Sequence, residues 1–404
     1  MSHRHVTPLR MSFLVAAMTW IAPFSLSTYL PSFPDIQASL GASELDMQHS
    51  LSYYLWAFAA MTLVYGPLSD AHGRRSVVLW AFCAYAIASI VCALAGSIEV
   101  FLLGRAGQGM AAAAGLVIGR AALRDVFGGA QARRVMSTVM LIFAGGPAVA
   151  PIIGGVLQDW FGWRPVFWFL AAFGIVVWLI VFLRLPETLP PVARVRVPLS
   201  RVGHVYRDAL TRGRFLALVV MTGFNFGGMF LYIAASPFVL YRHLGFEATE
   251  FWRLFVPLMC GIVLGAWSSG RFAERIEPRQ AVRIGYGVMA FGVALNLMQA
   301  WWLEPTSFNV IAPVAVYAAG MSFAVPNLSL MALDCFPCQR GMASAVMSAF
   351  QLGSNGVIAG FIVAWAAQAL PRLALVDAML FATSLMLWLW FARRGDRGHA
   401  TASP

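Results

Sequence analysis

Arg105 is a charged residue inside an apolar stretch of the sequence, residues 99–123, which is rich in Ala, Gly and Leu. A guanidinium in such surroundings is costly, and it normally faces a cavity or a partner group. Gln108 follows three positions later and adds a second polar side chain to the same stretch. The alternative is a structural role, in which Arg105 donates hydrogen bonds to carbonyl oxygens of neighbouring helices.

Carboxylates that could bind and release a proton are scarce. The sequence contains 17 acidic residues. All are expected in loops or near the ends of apolar segments, with Asp35, Asp334 and Asp377 the nearest to their interior. A group that titrates as its exposure changes can couple proton movement to another process. The candidate is Asp35, if nearby prolines turn it inward toward Arg105, and the alternative is a solvated Asp35 outside the membrane.

The composition places these residues in a membrane protein. The chain has 404 residues, of which 60% are hydrophobic and only 11% are charged. A soluble domain of this size could not bury so much apolar surface, so the surrounding solvent is expected to be lipid. A helix of about 20 residues is long enough to cross a bilayer. Twelve such segments are expected, within a few residues, at 12–33, 48–67, 76–95, 99–123, 135–157, 164–184, 214–240, 251–271, 280–302, 308–333, 341–369 and 372–392.

The segments form two groups of six, separated by a polar interval at about 185–213 that is rich in Arg and Pro. We therefore expect an all-α membrane protein with an N-terminal six-helix bundle at 1–184, a cytoplasmic linker at 185–213 and a C-terminal six-helix bundle at 214–404. Two pseudo-symmetric bundles with a cavity near the bilayer midplane are typical of secondary transporters. A channel is the alternative, but no segment resembles a selectivity filter.

The positive charge is distributed asymmetrically. The formal net charge is +11, and all 28 basic residues are Arg. Most of them lie at the termini, in the linker and in alternate loops, whereas the other loops hold only Arg164, Arg242, Arg253 and Arg372. This positive-inside pattern predicts a multi-pass protein of the bacterial inner membrane with both termini in the cytoplasm. The charge reflects topology, so no nucleic-acid partner is expected.

A short charged turn joins the segments at 48–67 and 76–95, and it reads Gly66-Pro67-Leu68-Ser69-Asp70-Ala71-His72-Gly73-Arg74-Arg75. Gly-x-x-x-Asp followed by Gly-Arg-Arg closely resembles the loop between helices 2 and 3 of major facilitator superfamily transporters. The resemblance implies a latch that closes the cytoplasmic side. In it Arg74 pairs with Asp125, and Asp70 lies at the amino end of the helix that begins near residue 341, where the helix dipole favours a carboxylate. The expected latch residues are Gly66, Asp70, Gly73, Arg74 and Asp125.

Two further motifs resemble those of drug exporters within that superfamily. Ser27-Thr28-Tyr29-Leu30-Pro31 is similar to the Asp-x-Tyr-Leu-Pro signature of bicyclomycin- and chloramphenicol-resistance exporters, the Bcr/CflA-type drug:proton antiporters. Ser27 stands where that family has a carboxylate. The sixth segment is followed by Pro186-Glu187-Thr188, which drug exporters commonly have at the end of their first half.

The fourth and fifth segments carry motifs that the superfamily associates with exchange. Arg105-Ala106-Gly107-Gln108-Gly109 resembles the helix-4 motif, which implies that Arg105 takes part in proton coupling, with Asp35 as the carboxylate. A Gly-Pro-x-x-x-Pro-x-x-Gly-Gly pattern in the fifth segment resembles the antiporter motif that marks exporters. Close packing of small residues between helices explains much of the same pattern. Its residues are Gly146, Pro147, Pro151, Gly154 and Gly155.

The expected cavity suits lipophilic compounds. Polar residues are sparse in the second half and aromatic residues are plentiful, whereas a sugar site needs dense hydrogen bonding. The residues expected to line the cavity are Ser27, Tyr29, Tyr54, Gln108, Asn225, Phe226, Tyr317 and Gln351. The Cys335 and Cys338 pair has metal-site spacing but lacks further ligands. No nucleophile–base pair or phosphate-binding loop is visible, so we expect no enzyme activity, no metal and no cofactor.

The sequence therefore predicts a secondary transporter that exports small lipophilic compounds by alternating access in exchange for protons. The expected partners are the substrate, protons and membrane lipid, and the protein is expected to be a monomer. The alternative is an exporter of an endogenous metabolite, such as a siderophore, amino acid or sugar, with or without proton coupling. The drug susceptibility of a deletion strain separates the two.

Overall fold

The computed structural model describes residues 7–194, 199–272, 275–337 and 339–400, and every regular element within them is helical. The α-helices are α1 (Pro8–Ser27), α2 (Phe33–Leu40), α3 (Glu44–His72), α4 (Arg74–Ala93), α5 (Ile98–Val126), α6 (Gly129–Phe161), α7 (Arg164–Arg184), α8 (Leu199–Thr211), α9 (Gly213–Ala234), α10 (Trp252–Phe272), α11 (Pro278–Trp302), α12 (Ser307–Asp334), α13 (Arg340–Val357), α14 (Ala364–Ala366) and α15 (Leu370–Ala400). Short 3₁₀ turns lie at Leu30–Ser32, Pro191–Ala193 and Ala248–Glu250, and π-helical turns lie at Phe238–His243 and Ile358–Val363.

Prolines end the first long helix earlier than predicted. α1 stops at Ser27, and the chain continues through a 3₁₀ turn into α2. Pro31 and Pro34 each occupy the first turn of one of these short elements, where a missing backbone N–H breaks no helical hydrogen bond. The single helix predicted at 12–33 is therefore divided.

The break between α3 and α4 is confined to one residue. α3 begins with a capping box between Ser43 and Asp46, and it stays helical through Pro67 as far as His72. Gly73 then adopts a φ of 94°, a conformation that favours glycine, and α4 starts at the next residue. Most of the turn predicted at 66–75 is therefore helix.

Ten stretches of the described chain are long and apolar enough to cross a membrane. α3 lies outside that set, although it contains 29 residues. The count of ten does not cover α6, a helix of 33 residues, because several of its side chains lie outside the described part of the chain. Ser and Tyr residues interrupt the apolar run of α3 and lower its hydropathy. The structure is thus all-helical with ten candidate spans, compared with the twelve expected.

The chain divides into two compact units. Unit 1 comprises Met1–Val202 with Glu247–Trp252, and unit 2 comprises Gly203–Phe246 with Arg253–Pro404. In unit 1, α5 packs against α1, α3 and α4, and α6 packs against α1. In unit 2, α11 packs against α12, and α9 packs against α12, α13 and α15. The interval predicted as a linker at 185–213 also contains α8, a helix that the sequence pattern did not predict.

Candidate functional site

The side chain of Arg105 lies in the core of unit 1 with no exposed surface. α5 places it beside α1 and α3, the helices against which α5 packs. Its Nη1 donates to the carbonyl oxygen of Ser25 at 3.0 Å and to Oε1 of Gln108 at 2.6 Å. Gln108 is also fixed, because its Nε2 donates to Oγ of Ser89 at 2.8 Å. Arg105 and Gln108 therefore form one network, and the bond to Ser25 is of the kind expected from a structural arginine.

Two tyrosine rings flank the guanidinium. The Cζ atom of Arg105 lies 4.0 Å from the ring centre of Tyr29 and 4.7 Å from that of Tyr54. Both hydroxyls are held: Oη of Tyr29 lies 2.9 Å from Oγ of Ser50, and Tyr54 donates to the carbonyl oxygen of Ala22 at 3.2 Å. Cation–π attraction contributes about 2 kcal/mol when the groups are desolvated. The rings therefore supply stabilisation that a carboxylate would otherwise give to this buried cation.

The guanidinium also retains hydrogen-bonding capacity. Nε and Nη2 of Arg105 are buried, and no acceptor contacts them in the part of the chain that the structure describes. A buried donor without an acceptor costs about 1–3 kcal/mol. A compound that placed an oxygen atom against these groups would recover that cost. We refer to Arg105, Gln108, Tyr29 and Tyr54 as the Arg105 site.

Asp35 does not join the Arg105 site. It lies in the first turn of α2 with its side chain exposed, and its carboxylate accepts a hydrogen bond from Nε2 of Gln158 on α6. The prolines start a new helix outside α1 and do not bend α1 itself, so the expected inward position of Asp35 is wrong. Ser27, which stands in the place of the family's carboxylate, is the buried last residue of α1.

The small residues of α6 allow close contact with α1. The Cα atom of Gly146 faces the ring of Pro23, and that of Gly154 faces the carbonyl oxygen of Thr28. A Cβ atom at position 154 would overlap that oxygen, so the contact requires glycine. The motif therefore acts at least as a packing surface between two helices of unit 1. Its other members are Pro147 and Pro151 inside α6, and Gly155, which faces the carbonyl oxygen of Ala248 in the same unit.

Arg74, the first residue of α4, is the centre of a second polar group. Its side chain is only 8% exposed. Nη1 lies 2.5 Å from Oδ1 of Asp70 and donates to Oγ of Ser69 at 2.6 Å, and Nε donates to Oδ2 of Asp125 at 3.1 Å. The structure brings Arg74 and Asp125 together, as the superfamily motif implied. Asp70 pairs with Arg74 as well, whereas its predicted place at the amino end of the helix near residue 341 stays a prediction. We refer to Ser69, Asp70, Arg74, Asp125 and Glu187 as the Arg74 cluster.

Glu187 belongs to this cluster in a role that was not predicted. Its Oε1 accepts hydrogen bonds from the backbone N–H groups of Arg74 at 2.9 Å and of Leu189 at 3.1 Å, and Nη2 of Arg194 lies 3.7 Å from Oε2. Gly73 leaves room for the carboxylate, which a Cβ atom there would overlap. Glu187 therefore caps the amino end of α4, where free N–H groups and the helix dipole favour a negative charge.

Glu187→Ala is expected to lower the thermal stability of the protein. The change removes the acceptor for the first N–H group of α4, and loss of such a cap costs about 0.5–2 kcal/mol. The measurement is the apparent melting temperature of the purified protein in detergent. Asp159→Ala, which removes an exposed acidic side chain from α6, is the matched control. Equal melting temperatures for the two variants would contradict the capping role.

A polar network is buried in unit 2. Nδ2 of Asn225 donates to Oη of Tyr286 at 3.1 Å, and that oxygen lies 2.6 Å from Oγ of Ser384. Tyr317 donates to the carbonyl oxygen of Asn225 at 3.0 Å. Two of the residues expected to line a cavity, Asn225 and Tyr317, are therefore bonded to each other. The other two in this unit are half-buried, namely Phe226 and Gln351.

A carboxylate lies inside a candidate membrane span of unit 2. Asp377 belongs to the span Leu370–Arg393, is 3% exposed and accepts a hydrogen bond from Nδ2 of Asn296 at 3.0 Å. The sequence predicted a position near a segment end for Asp377 but did not predict its burial. α15 begins about two turns before Asp377, and α9 and α11 pack against that helix.

The chain matches a known protein family over most of its length. The sequence pattern of the Major Facilitator Superfamily matches residues 15–362. The chain belongs to the major facilitator superfamily. The described helices and candidate spans agree with that assignment.

Relatives of this major facilitator protein include drug-resistance proteins. It is 30% identical over 380 residues to an uncharacterized MFS-type transporter, YdgK of Bacillus subtilis, covering 94% of this chain and 93% of the relative. It is 30% identical over 369 residues to a chloramphenicol resistance protein of Pseudomonas aeruginosa, covering 89% and 85%. It is 27% identical over 356 residues to a bicyclomycin resistance protein homolog of Haemophilus influenzae, covering 86% and 87%. The resemblance to Bcr/CflA-type exporters is confirmed.

Solved structures show the same fold. A bacterial homolog of the human lysosomal transporter Spinster, in an inward-facing and occupied conformation, aligns with a TM-score of 0.74 at 16% identity. The alignment covers 96% of this chain and 98% of that one. Together with the family, this fold makes the protein a multi-pass membrane transporter of a class that is not enzymatic.

Proposed function

We propose that this transporter exports small lipophilic compounds across the bacterial inner membrane by alternating access, in exchange for protons. The observation that carries the proposal is the Arg105 site, where a fixed cation lies between two tyrosine rings. These side chains are buried in this conformation, so the proposed alternating access has to expose them. Aromatic rings with a few oriented donors then suit a largely apolar compound that carries oxygen acceptors. The names of the chloramphenicol- and bicyclomycin-resistance relatives support the same substrate class.

The proposal assigns proton coupling in part to Arg105. The motif of α6, which resembles that of antiporters, supports exchange as the mode of transport. A guanidinium has hydrogen-bond donors but no acceptor, so a different group has to bind the proton. Because Asp35 is exposed, the proton-binding carboxyl has to be sought elsewhere in the chain.

The proposed topology extends the ten candidate spans to twelve. We place α3 and α6 in the membrane as well, which gives six spans in residues 1–184 and six in 214–404. The asymmetric arginines support a cytoplasmic location for both termini and for the linker at 185–213. The proposed transporter acts as a monomer whose partners are the substrate, protons and membrane lipid.

Reconstituted vesicles test the proposal. The purified transporter is incorporated into vesicles that contain a pH-sensitive dye, and chloramphenicol or bicyclomycin is added outside. Exchange predicts proton movement that requires both the protein and the compound. In cells, deletion of the gene is expected to increase susceptibility to the exported drug. Drug transport that persists after the proton gradient is collapsed would contradict proton exchange.

An endogenous metabolite is the second candidate substrate. The N–H groups of Arg105 that have no acceptor among the described residues are also suited to an oxygen-rich or anionic metabolite. An unchanged drug susceptibility in the deletion strain, together with lower export of a cellular metabolite, would favour this function.

Asp70→Asn is expected to slow transport without unfolding the protein. The side chain of Asp70 is 44% exposed, and such an ion pair contributes at most about 1 kcal/mol to folding. If the Arg74 cluster closes one side of the transporter, the same energy slows turnover about fivefold. The measurement is the rate of drug uptake into vesicles. Asp208→Asn breaks an Arg–Asp pair of the same spacing, between Asp208 on α8 and Arg212 just after that helix, and is the matched control. A normal rate for Asp70→Asn would exclude the latch.

A further inference from the structure

The proton-binding group required for exchange can be sought among buried carboxylates. Ser27 occupies the position where related exporters have one, and Asp35 is exposed. Asp377 differs from both, because its carboxyl group is buried within a candidate membrane span. An ionisable residue inside a membrane segment is costly to keep and is typically part of a substrate or proton pathway.

Among the described residues, the surroundings of Asp377 are polar and contain no cation. Oδ2 accepts one hydrogen bond, from Nδ2 of Asn296 on α11. The same amide group donates to Oη of Tyr232 on α9 at 2.7 Å, and Nε2 of Gln299 lies 3.3 Å from Oδ1 of Asn296. Within the described residues, Asp377 forms no ion pair with any arginine or histidine. The ionised form therefore has a single donor to balance its charge.

The second carboxyl oxygen has a place for a proton. Oδ1 of Asp377 is buried and has no hydrogen-bond partner among the described residues. It lies against Gly228 of α9, on the same side as Oη of Tyr317 from α12. That hydroxyl already donates its hydrogen to the carbonyl oxygen of Asn225, so it is left with acceptor capacity only. Among the described residues, the titratable groups that face Asp377 are the phenols of Tyr232 and Tyr317. Both are neutral at physiological pH.

We propose that Asp377 is a proton-binding site of this transporter. The proton adds to Oδ1 and gives a neutral carboxylic acid, while Oδ2 keeps its hydrogen bond from Asn296. Loss of that proton restores the carboxylate, and no other bond is made or broken. The assignment rests on the proposed exchange of substrate for protons, and it supplies the carboxyl group that unit 1 lacks at Ser27.

Infrared spectroscopy tests the assignment directly. The purified full-length transporter is titrated in detergent, and the C=O stretching band of protonated carboxyl groups is followed. We expect a buried carboxyl band that titrates in the wild type, is missing from Asp377→Asn and is kept in Asp35→Asn, the matched control. A band that persists unchanged in Asp377→Asn would overturn the assignment.

Vesicle transport provides the second readout. Asp377→Asn is expected to abolish drug-driven proton movement while still allowing exchange of labelled for unlabelled drug, which needs no net proton transfer. Proton movement equal to that of the wild type would overturn the role of Asp377 and leave the proposed function intact. If wild-type vesicles move drug without protons while the Asp377 band still titrates, the proposed exchange fails and proton binding at Asp377 is supported.

A second variant keeps the test decisive if Asp377→Asn does not fold. Asn296→Leu removes the donor that stabilises the ionised carboxylate but leaves Asp377 in place. We expect the midpoint of the carboxyl band to move to higher pH in this variant, because a hydrogen bond to the charged form favours that form. A midpoint equal to that of the wild type would overturn the assignment.

Discussion

Arg105→Met is expected to slow drug transport severely and to leave the transporter folded. The variant loses the cation that lies between Tyr29 and Tyr54, together with the donor to Gln108. The substitution also removes a buried charge, whose burial costs free energy of folding. The fold is therefore expected to persist. We expect the uptake rate in vesicles to fall at least about 100-fold, which corresponds to about 3 kcal/mol of lost binding energy. Thermal unfolding of the same preparation reports whether the protein is intact.

Two companion variants define the role of Arg105. Arg124→Met removes an exposed arginine from the same helix and is expected to transport normally. Arg105→Lys keeps the charge but lacks the planar guanidinium that stacks on aromatic rings, so partial transport is expected. If Arg105→Met unfolds and Arg105→Lys transports at the full rate, the residue is structural only.

Gly154→Ala is expected to reduce both the yield of folded protein and its transport. The added methyl group would overlap the carbonyl oxygen of Thr28, and backbone atoms cannot move aside as a flexible side chain does. α6 would have to separate from α1 next to the Arg105 site. Overpacking of this kind costs about 1–3 kcal/mol or more. Fluorescence-detected size-exclusion chromatography measures the folded fraction, and vesicle uptake measures transport.

Gly145→Ala is the control for this prediction, because the substitution is identical and in the same helix. A Cβ atom at position 145 would meet the ring of Trp20 at 3.8 Å, which is an ordinary contact. In a helix interior, alanine is favoured over glycine by about 0.5–1 kcal/mol. The control is therefore expected to be as stable as the wild type or slightly more so. Similar losses in both variants would mean that the contact with Thr28 is not what selects glycine at 154.

Most helices could be predicted from the length of apolar runs between charged residues. The segment at 164–184 coincides with α7, and the segment at 308–333 differs from α12 by one residue at each end. Ends set by proline and glycine were harder to predict. Pro31 and Pro34 begin new elements, whereas Pro67 lies inside a helix that continues to His72. The effect of a proline depends on its position within a helix, and apolar length does not report that position.

The polar members of the Arg105 site were also predictable. Arg105, Gln108, Tyr29 and Tyr54 were all chosen from the sequence, and the structure brings them together. Their arrangement was not predictable. The two rings lie over the guanidinium only after α3, α5 and the turn that follows α1 have packed together. Two aromatic rings contact the guanidinium of Arg105, where the sequence had predicted a carboxylate.

The roles of two acidic residues could not be predicted from the sequence and depend on the packing of distant helices. Glu187 was noticed only as part of a drug-exporter motif, although it caps a helix that begins 113 positions earlier in the chain. The burial of Asp377 was not predicted, because it depends on α9 and α11 packing against α15. Contacts of such long sequence separation leave no periodic signal in a local stretch of residues.

The contacts of Glu187 determine where the gene can be split into two separately expressed fragments. Glu187 and Arg194 hold the chain that follows α7 against the amino end of α4. A fragment that stops after residue 194 retains this anchorage, whereas a fragment that stops at Pro186 leaves the start of α4 uncapped. Complementation between two separately expressed fragments should therefore depend on which side of Glu187 the coding sequence is split.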